Sequence, residues 1–406
     1  MCLKLKTQIK VDNMRYNFDK MTDRRDSNSL KWNVGKKELS MGIADMDFKT
    51  AQCIIDAVVD KAKQGIYGYG IVPDEWYTAI IDWWQRRHNL TIKKEWLMFS
   101  NGVVPTITSA IKRITNVGDN IVILTPVYDI FFNSIENTGR HALECQLKYE
   151  NGIYTIDFDD LEKKLSNKLS TMLILCNPHN PIGKIWSKFE LEKIALLSKK
   201  YGVVVLSDEV HCDITIKNYI PFISSSEYAK NNCIVCMSAG KCFNLAGMQS
   251  AIVCMPSDNL RNKIERGINS DDIAEPNSFA IESVVSAFNR GEEWLNKVNQ
   301  YIFDNIKFAK DYIAKNMPFL TVVNQDATYL IWIDCSFVTS DTEELCNYIR
   351  NNTGLYINSG LKYRGNGKYF VRMNLATQRI RVEKGLNLFF DGIKNYMLEH
   401  NIEWKK

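Results

Sequence analysis

Five short segments of the sequence combine polar, small and aromatic residues in a way that could support chemistry. Each follows a predicted strand, and they read NGVV (101–104), TPVYD (125–129), NPHNPIG (177–183), DEVH (208–211) and SAGKCFN (238–244). Ligands of parallel α/β sheets bind beyond the carboxyl ends of the strands. We therefore expect the five segments to converge on one site.

These segments carry complementary functional groups. The first precedes a predicted helix, and the opening N–H groups of that helix, at Val103 and Val104, could hold a phosphate. Tyr128 offers a flat ring, and Asp208 places a carboxylate directly at a strand end. Lys241 lies among small residues, where a lowered pKa would make its amine a nucleophile. A Schiff-base lysine, an acid for a ring nitrogen, a stacking ring and a phosphate cradle together indicate pyridoxal phosphate (PLP).

Each of these side chains also has a simpler interpretation. A lysine in a loop is usually solvated, and a lone aspartate often caps a helix. Tyr128 could belong to the core, and His211 could be a buried histidine with its hydrogen bonds satisfied. Arg372, a further candidate outside the five segments, could pair with a surface acid. The combination of the segments favours the functional interpretation over these alternatives.

The elements around these segments alternate between strand and helix signals. Strands are predicted at 97–100, 121–125, 171–176, 203–207, 233–237 and 251–255. Between the third and fourth of these, Ser187 and Glu190 form an S-x-x-E capping box that opens a helix ending at Gly202. Asp129 is predicted to cap another helix that ends near Gly139. The resulting βαβ unit implies parallel strands with helices on both faces.

The pattern changes after about residue 290. A long helix is predicted over 294–316, followed by strands at 329–334 and 369–373 and helices at 341–351 and 381–399. These elements indicate a smaller α+β domain. We predict an N-terminal segment (1–48) that packs on this domain or on a partner subunit, a large domain (49–290) and a small C-terminal domain (291–406).

Composition restricts the class of protein. The 406 residues include 45% hydrophobic and 24% charged residues and carry a net charge of +4, which is typical of a globular chain rather than a disordered one. Charges of both signs alternate, so neither nucleic acid nor a membrane is expected as a partner. Residues 1–10 are basic without a following apolar block, and are not expected to be a secretory signal.

Cysteine usage indicates a reducing compartment, so we predict a cytoplasmic protein. The chain has 11 cysteines, an odd number scattered through apolar segments, which favours free thiols. Cys233 and Cys236 form a C-x-x-C, but in a strand residues three apart face opposite sides. No metal site is predicted.

Several motifs in order make the sequence similar to a known family. They are ADMDF (44–48), GYG (68–70), TPVYD, NPHNPIGK, SDEVH, SAGKCFNLAG, ATYLIWID (327–334) and FVRMN (370–374). The chain resembles fold-type I PLP-dependent enzymes of the class I/II aminotransferase group. Within that group it resembles the cystathionine β-lyase and cysteine S-conjugate β-lyase branch, the MalY/PatB family. The resemblance covers nearly the whole chain after about residue 14.

The resemblance implies roles around the cofactor ring. Lys241 would form the Schiff base and later act as the base, and Asp208 would pair with the protonated pyridine nitrogen. Tyr128 would stack on the ring. Asn180 would reach the ring hydroxyl and the substrate carboxylate. His211 stands near that hydroxyl, where many aminotransferases have a tyrosine, which fits the lyase branch.

The resemblance also implies how the phosphate and substrate are held. Ser238 and the amides of Val103 and Val104 would hold the phosphate. Tyr69 would reach the phosphate from the neighbouring subunit, so the active site would require a homodimer. Arg372 would bind the substrate α-carboxylate in a bidentate manner.

The sequence departs from the pattern of the aminotransferase group at two positions. Gln249 stands eight residues after Lys241, where many aminotransferases carry an arginine, and the lyase branch commonly lacks that arginine too. Gly240 replaces a serine or threonine that is frequent in the family, so one phosphate ligand is absent.

We predict β-elimination of a thiol from cystathionine or another cysteine S-conjugate. The alternatives are an aminotransferase of a small amino acid and a binding protein without turnover.

Overall fold

The computed structural model describes residues 16–403, so the basic segment 1–10 lies outside the described residues. The strands in chain order are β1 (Leu39–Ser40), β2 (Leu97–Ser100), β3 (Asn120–Thr125), β4 (His141–Gln146), β5 (Lys148–Glu150), β6 (Ile153–Thr155), β7 (Ser170–Cys176), β8 (Val204–Asp208), β9 (Cys233–Met237), β10 (Ala251–Cys254), β11 (Thr321–Val322), β12 (Leu330–Asp334), β13 (Leu355–Tyr356), β14 (Asn358–Ser359) and β15 (Phe370–Asn374).

The α-helices in chain order are α1 (Gln52–Lys63), α2 (Asp74–His88), α3 (Val103–Ile114), α4 (Ile130–Glu136), α5 (Phe158–Leu165), α6 (Lys188–Lys200), α7 (Phe222–Ser225), α8 (Glu227–Asn231), α9 (Ala239–Cys242), α10 (Asp258–Ser270), α11 (Ala280–Arg290), α12 (Glu292–Asn316), α13 (Thr342–Thr353) and α14 (Arg379–Glu399). The strands and helices predicted from the sequence are therefore present, with ends that match or shift by up to three residues.

A seven-stranded sheet forms the centre of the larger half of the molecule. Its strand order is β2-β10-β9-β8-β7-β3-β4. Strands β4, β3, β7, β8 and β9 are parallel, and β10 pairs antiparallel with both β9 and β2. The carboxyl ends of β2, β3, β7, β8 and β9 therefore meet at one edge of the sheet.

Strand side chains alternate between two hydrophobic layers. In β3, Ile121 and Ile123 face the layer that contains α3 and α10, whereas Val122 and Leu124 face the layer on the opposite side. A sheet covered on both faces requires strands that are apolar throughout, as β3 is. The alternation also separates Cys233 from Cys236, which lie in different layers, as the strand period predicts.

The βαβ unit predicted from the sequence is confirmed. Strands β7 and β8 are parallel neighbours joined through α6. Ser187 accepts a hydrogen bond from the Glu190 backbone, and the Glu190 side chain accepts one from the Ser187 backbone, so both halves of the capping box form. The prediction for Asp129 is wrong in one respect, because Asp129 precedes α4 without any capping hydrogen bond from its side chain.

The C-terminal part builds a second, four-stranded antiparallel sheet in the order β11-β12-β15-β14. The loop after β7 docks against the chain that leads into this sheet. Gly183 in that loop has φ +67°, and a Cβ there would lie 2.6 Å from the Gln325 Cβ. The Gly183 carbonyl accepts the N–H groups of Asp326 and Ala327. Close backbone packing thus joins the two sheets at the site edge.

The N-terminal segment crosses the same edge. Strand β1 pairs in parallel with β13. A buried ionic cluster anchors the chain on either side of β1: Lys31 Nζ lies 3.0 Å from Asp47 Oδ2, and Trp32 donates to Asp47 Oδ1 at 2.8 Å. The domain division at residues 48 and 290 stays a prediction. Among residues 16–403, no helix has the length and apolarity to cross a membrane.

Candidate active site

A cavity of about 290 Å³ opens at the carboxyl edge of the seven-stranded sheet. Four of the five segments singled out in the sequence supply its walls. The lining residues are Asn101, Gly102, Val103, Val104, Pro105, Tyr128, Asp208, Val210, Ser238, Gly240, Lys241, Leu245, Ala246, Gln249 and Ser250. The fifth segment, after β7, places Asn180 beside Arg372. The expected convergence is confirmed for the four lining segments, because parallel strands bring their loops together. Asn180, His211 and Arg372 lie outside the cavity lining.

One end of the cavity is suited to an anion. Helix α3 begins at Val103, and the N–H groups of its first turn have no partner within the helix, as at any helix start. Ser238 lines the same cavity, and its hydroxyl accepts the Gly240 N–H at 2.9 Å and donates to the Ser250 carbonyl at 2.7 Å. Gln249 also lines the cavity, and no arginine does among the described residues.

Lys241 projects its amino group toward the N-terminal segment. Short helix α9 carries it immediately after β9. Its Nζ donates to the Ala44 carbonyl at 2.9 Å. Burial lowers the pKa of Lys241, and the charge of Arg372 lowers it further, while Asp45 and Asp208 act in the opposite direction. A lowered pKa favours the neutral amine that nucleophilic and general-base chemistry require.

Asp208 ends β8 and is buried at the base of the cavity, with 4% of its surface exposed. Its Oδ1 accepts the Val210 N–H at 3.2 Å. Burial raises the pKa of Asp208 to about 7. A buried carboxylate is stable only when a cation or proton compensates it. The site therefore favours a ligand that brings a positively charged N–H group to Asp208.

Two further rings belong to the site: Tyr128 lines the cavity, and His211 lies close enough to Lys241 and Arg372 for their charges, in addition to burial, to lower its pKa. Burial raises the pKa of Tyr128 to about 12, so its hydroxyl stays protonated at neutral pH. His211 is buried, its Nδ1 has no hydrogen-bond partner among residues 16–403, and burial lowers its pKa to about 3. The imidazole is therefore neutral at neutral pH. An unpartnered buried nitrogen of this kind is available to a polar group of a ligand.

Arg372 and Asn180 form the second polar group of the site. Both side chains are buried, and Arg372 donates to Asn180 Oδ1 at 3.2 Å and to the Gly42 carbonyl at 3.0 Å. The Arg372 guanidinium lies 5.0 Å from the centre of the Tyr363 ring, and its Nε has no hydrogen-bond partner in the described part of the chain. A buried guanidinium without a carboxylate is suited to bind one from a ligand.

Tyr69 does not contribute to this cavity within one chain. It is 99% exposed and belongs to an apolar surface stretch that also includes Ile66, Tyr67 and Ile71. The stretch lies outside the cavity lining. The predicted role of Tyr69 in a partner subunit stays a prediction.

Sequence reasoning found Arg372 in the second sheet but missed the contacts of the N-terminal segment with Lys241 and with Tyr329 and Asn358. The motif ADMDF marks the resemblance to the family but does not by itself indicate what its residues contact. The structure places the Ala44 carbonyl between two donors, Lys241 Nζ and the Tyr329 hydroxyl at 3.0 Å. Gly42 lies against Asn358, whose amide donates to the Gly42 carbonyl at 2.8 Å. The motif ADMDF was the only sign in the sequence that this segment matters, and its contact with Lys241 arises only from tertiary folding.

The structure also brings together His88, Cys212 and Asp213, a grouping that the sequence spacing did not suggest. The buried Asp213 carboxylate accepts hydrogen bonds from Trp83 and Arg87, both at 3.0 Å. His88 lies 3.1 Å from the same carboxylate. With an arginine already paired to Asp213, this cluster is an ionic bridge between α2 and the loop after β8.

The donor set fits PLP. The start of α3 and Ser238 suit a phosphate, Asp208 suits a protonated pyridine nitrogen, and Tyr128 offers an aromatic face. The unpartnered Nδ1 of His211 and the amine of Lys241 suit the ring hydroxyl and the aldehyde carbon.

Fold and site together define a fold-type I PLP-dependent enzyme. The aminotransferase class I and II family model matches residues 36–386, and the chain belongs to that family. The chain is 33% identical to the cystathionine β-lyase PatB of Bacillus subtilis (strain 168) over 378 residues, which cover 91% of this chain and 98% of that protein.

Two solved structures share the whole fold. A PLP-bound protein of Clostridium difficile 630, provisionally named an aminotransferase, has a TM-score of 0.90 and 38% identity and covers 93% of this chain and 100% of that one. PLP-containing cystalysin of Treponema denticola has a TM-score of 0.90 and 28% identity, covering 94% and 99%.

Proposed function

We propose that this protein is a PLP-dependent carbon–sulfur β-lyase that cleaves cystathionine or another cysteine S-conjugate to a thiol, pyruvate and ammonia. The observation that carries the proposal is the convergence of Lys241, Asp208 and Tyr128 on one cavity beside the Arg372–Asn180 pair. The similarity to PatB over nearly the full length of both chains supports the same activity.

When bound, PLP supplies an electron sink for the electron pair left at the substrate α-carbon. Asp208 would keep the ring nitrogen protonated, because its burial leaves it dependent on a cationic partner. Tyr128 would offer its aromatic face to the ring. Arg372, with Asn180 beside it, binds the substrate carboxylate and orients the α-hydrogen toward Lys241.

Lys241 then removes the α-proton, because its lowered pKa favours the neutral amine that can act as a base. The electron pair forms the Cα–Cβ double bond as the Cβ–S bond breaks, and the thiolate leaves with the sulfur electrons. The released aminoacrylate reacts with water to give pyruvate and ammonia. His211 and Asn180 would hydrogen-bond the ring hydroxyl, while Ser238 and the amides of Val103 and Val104 would hold the phosphate.

A homodimer with shared active sites is part of the proposal. Tyr69 projects from an exposed apolar stretch, which is typical of an interaction surface. We assign Tyr69 to the phosphate site of the partner subunit. The ten described cysteines are all free thiols, which supports the predicted cytoplasmic location.

The experiment that tests the activity uses purified protein loaded with PLP. An absorbance band of the bound cofactor, followed by pyruvate release from cystathionine without any keto acid, is the expected result. A protein that takes up no PLP overturns the cofactor and every site role above. A protein that takes up PLP but releases no pyruvate from any thioether amino acid overturns the lyase, and favours a binding protein without turnover if an added keto acid also gives no amino transfer.

An aminotransferase of a small amino acid is the second candidate. The observation that favours it is the 38% identity to the Clostridium difficile protein. This reaction would share proton removal by Lys241, which would then deliver the proton elsewhere, so that no thiolate would be expelled and the amino group would pass to a keto acid. Amino transfer that requires an added keto acid, with no pyruvate in its absence, would support this candidate.

A further inference from the structure

An ion pair near the cavity has no role in the proposed elimination. Lys362 Nζ lies 3.3 Å from Asp129 Oδ2, and the two side chains are 44% and 24% exposed. Asp129 directly follows Tyr128, which lines the cavity. Lys362 directly precedes Tyr363, whose ring lies against the Arg372 guanidinium. Each member of the pair therefore adjoins a residue of the site.

Backbone contacts hold the two members in place. The Val127 N–H donates to the Tyr363 carbonyl at 3.0 Å, which joins the segment after β3 to the segment before β15. Gly365 packs so closely on the end of β3 that a Cβ there would lie 3.0 Å from the Thr125 hydroxyl. The Asp129 carboxylate caps no helix and is left to pair with Lys362.

The charges of this pair act on the site. The Asp129 charge raises the pKa of both Tyr128 and Tyr363, although burial is the larger cause for each. Burial lowers the pKa of Lys362, and Arg372 contributes in the same direction. Partly exposed ion pairs contribute only about 0–1 kcal/mol to stability, so folding alone gives little reason for this one.

We propose that Lys362 and Asp129 form a subsite for a distal α-amino acid group in the leaving part of the substrate, as in cystathionine. This inference rests on the proposed function and names its substrate class. Lys362 would bind the distal carboxylate, and Asp129 would bind the distal ammonium. A bound zwitterion would replace this ion pair with two ion pairs, one to Lys362 and one to Asp129, and the net charge of the site would not change. A leaving group with only a carboxylate would be repelled by Asp129, and an apolar one would gain neither contact.

The test compares binding of three compounds to the PLP-loaded protein: L-cystathionine, S-carboxyethyl-L-cysteine and S-methyl-L-cysteine. Dissociation constants come from the rapid change in cofactor absorbance on mixing, recorded by stopped flow before elimination takes place. We expect K362M to lower the preference for cystathionine over S-methylcysteine about tenfold, since one charge-assisted contact is lost. We expect D129N to lower the same preference and to raise the relative affinity for S-carboxyethylcysteine.

Lys368 provides the matched control, because it is an exposed lysine on the same segment. K368M should keep the wild-type preference. A preference in K362M within about twofold of wild type overturns the subsite. An equal loss in K362M and K368M overturns it as well. Pyruvate release by the wild-type protein is recorded separately, so a failed elimination leaves the binding preference to decide on the subsite.

Discussion

The amino group of Lys241 and the carbonyl oxygen of Ala44 lie 2.9 Å apart, although the residues are separated by 197 positions in the chain. Tyr329 donates to the same oxygen at 3.0 Å. One carbonyl of the N-terminal segment thus contacts both the proposed catalytic lysine and the second sheet. Asp47, three residues further on, anchors this segment through its buried pairing with Lys31. The position of the lysine therefore depends on packing far from its own strand.

Asp208 should make the stability of the cofactor-free protein depend on pH. Its pKa rises from 3.8, the usual value for an aspartate side chain, to about 7 in the fold, so the folded protein keeps a proton that the unfolded chain releases between about pH 4 and 7. The free energy of unfolding should fall across this window as pH rises, by up to about 4 kcal/mol relative to D208N.

Urea unfolding of both proteins at several pH values measures this difference. His179 and His211 have lowered pKa values and give the opposite trend, in which stability is lost as pH falls below about 6.5. Both histidines are present in the two proteins, so their effects largely cancel in the comparison. Parallel pH profiles for wild type and D208N would contradict the buried, protonated state of Asp208.

Arg372→Lys should weaken substrate binding more than turnover. Lysine cannot donate to Asn180, Gly42 and a carboxylate in the planar arrangement of a guanidinium. We expect KM to rise about 10- to 100-fold, with a smaller change in kcat. Steady-state pyruvate kinetics measure both constants. R364K is the control, since Arg364 pairs with Glu136 on the surface. A reduced kcat at unchanged KM would argue against carboxylate binding.

Gly183 should be far less tolerant of alanine than Gly202. Both residues have positive φ, +67° and +70°, so the backbone cost of a side chain is similar. A Cβ at Gly183 would meet Gln325 at 2.6 Å, whereas nothing lies within 4 Å of a Cβ at Gly202. We expect G202A to cost about 1 kcal/mol and G183A about 2–4 kcal/mol in unfolding free energy. Equal losses would show that the loop after β7 can move away from the second sheet.

Mixing two inactive variants tests the shared active site. In a heterodimer of K241A and Y69A, one site would combine both substitutions and the other would be entirely wild type. Random subunit exchange should therefore restore about a quarter of wild-type activity. Each variant incubated alone is the control. Activity that stays at the level of the separate variants would place Tyr69 outside the partner's site.

The sequence by itself determined the fold class and most of the cavity wall. Parallel strands are apolar throughout, and their loops must share one edge, so Lys241, Asp208, Tyr128, Val103, Val104 and Ser238 could be assigned to one site from order alone. The capping box at Ser187 was equally readable, because both of its partners lie within four residues.

Only the tertiary structure decided what these residues contact from afar. The pairing of Arg372 with Asn180, the acceptor supplied by Ala44 and the ion pair of Lys362 with Asp129 each join segments from distant parts of the chain. Neither hydrophobic periodicity nor a local sequence motif predicts contacts between segments so far apart in the chain. They arise because the second sheet and the N-terminal segment close over one edge of the first sheet, and side-chain packing between them sets which groups meet.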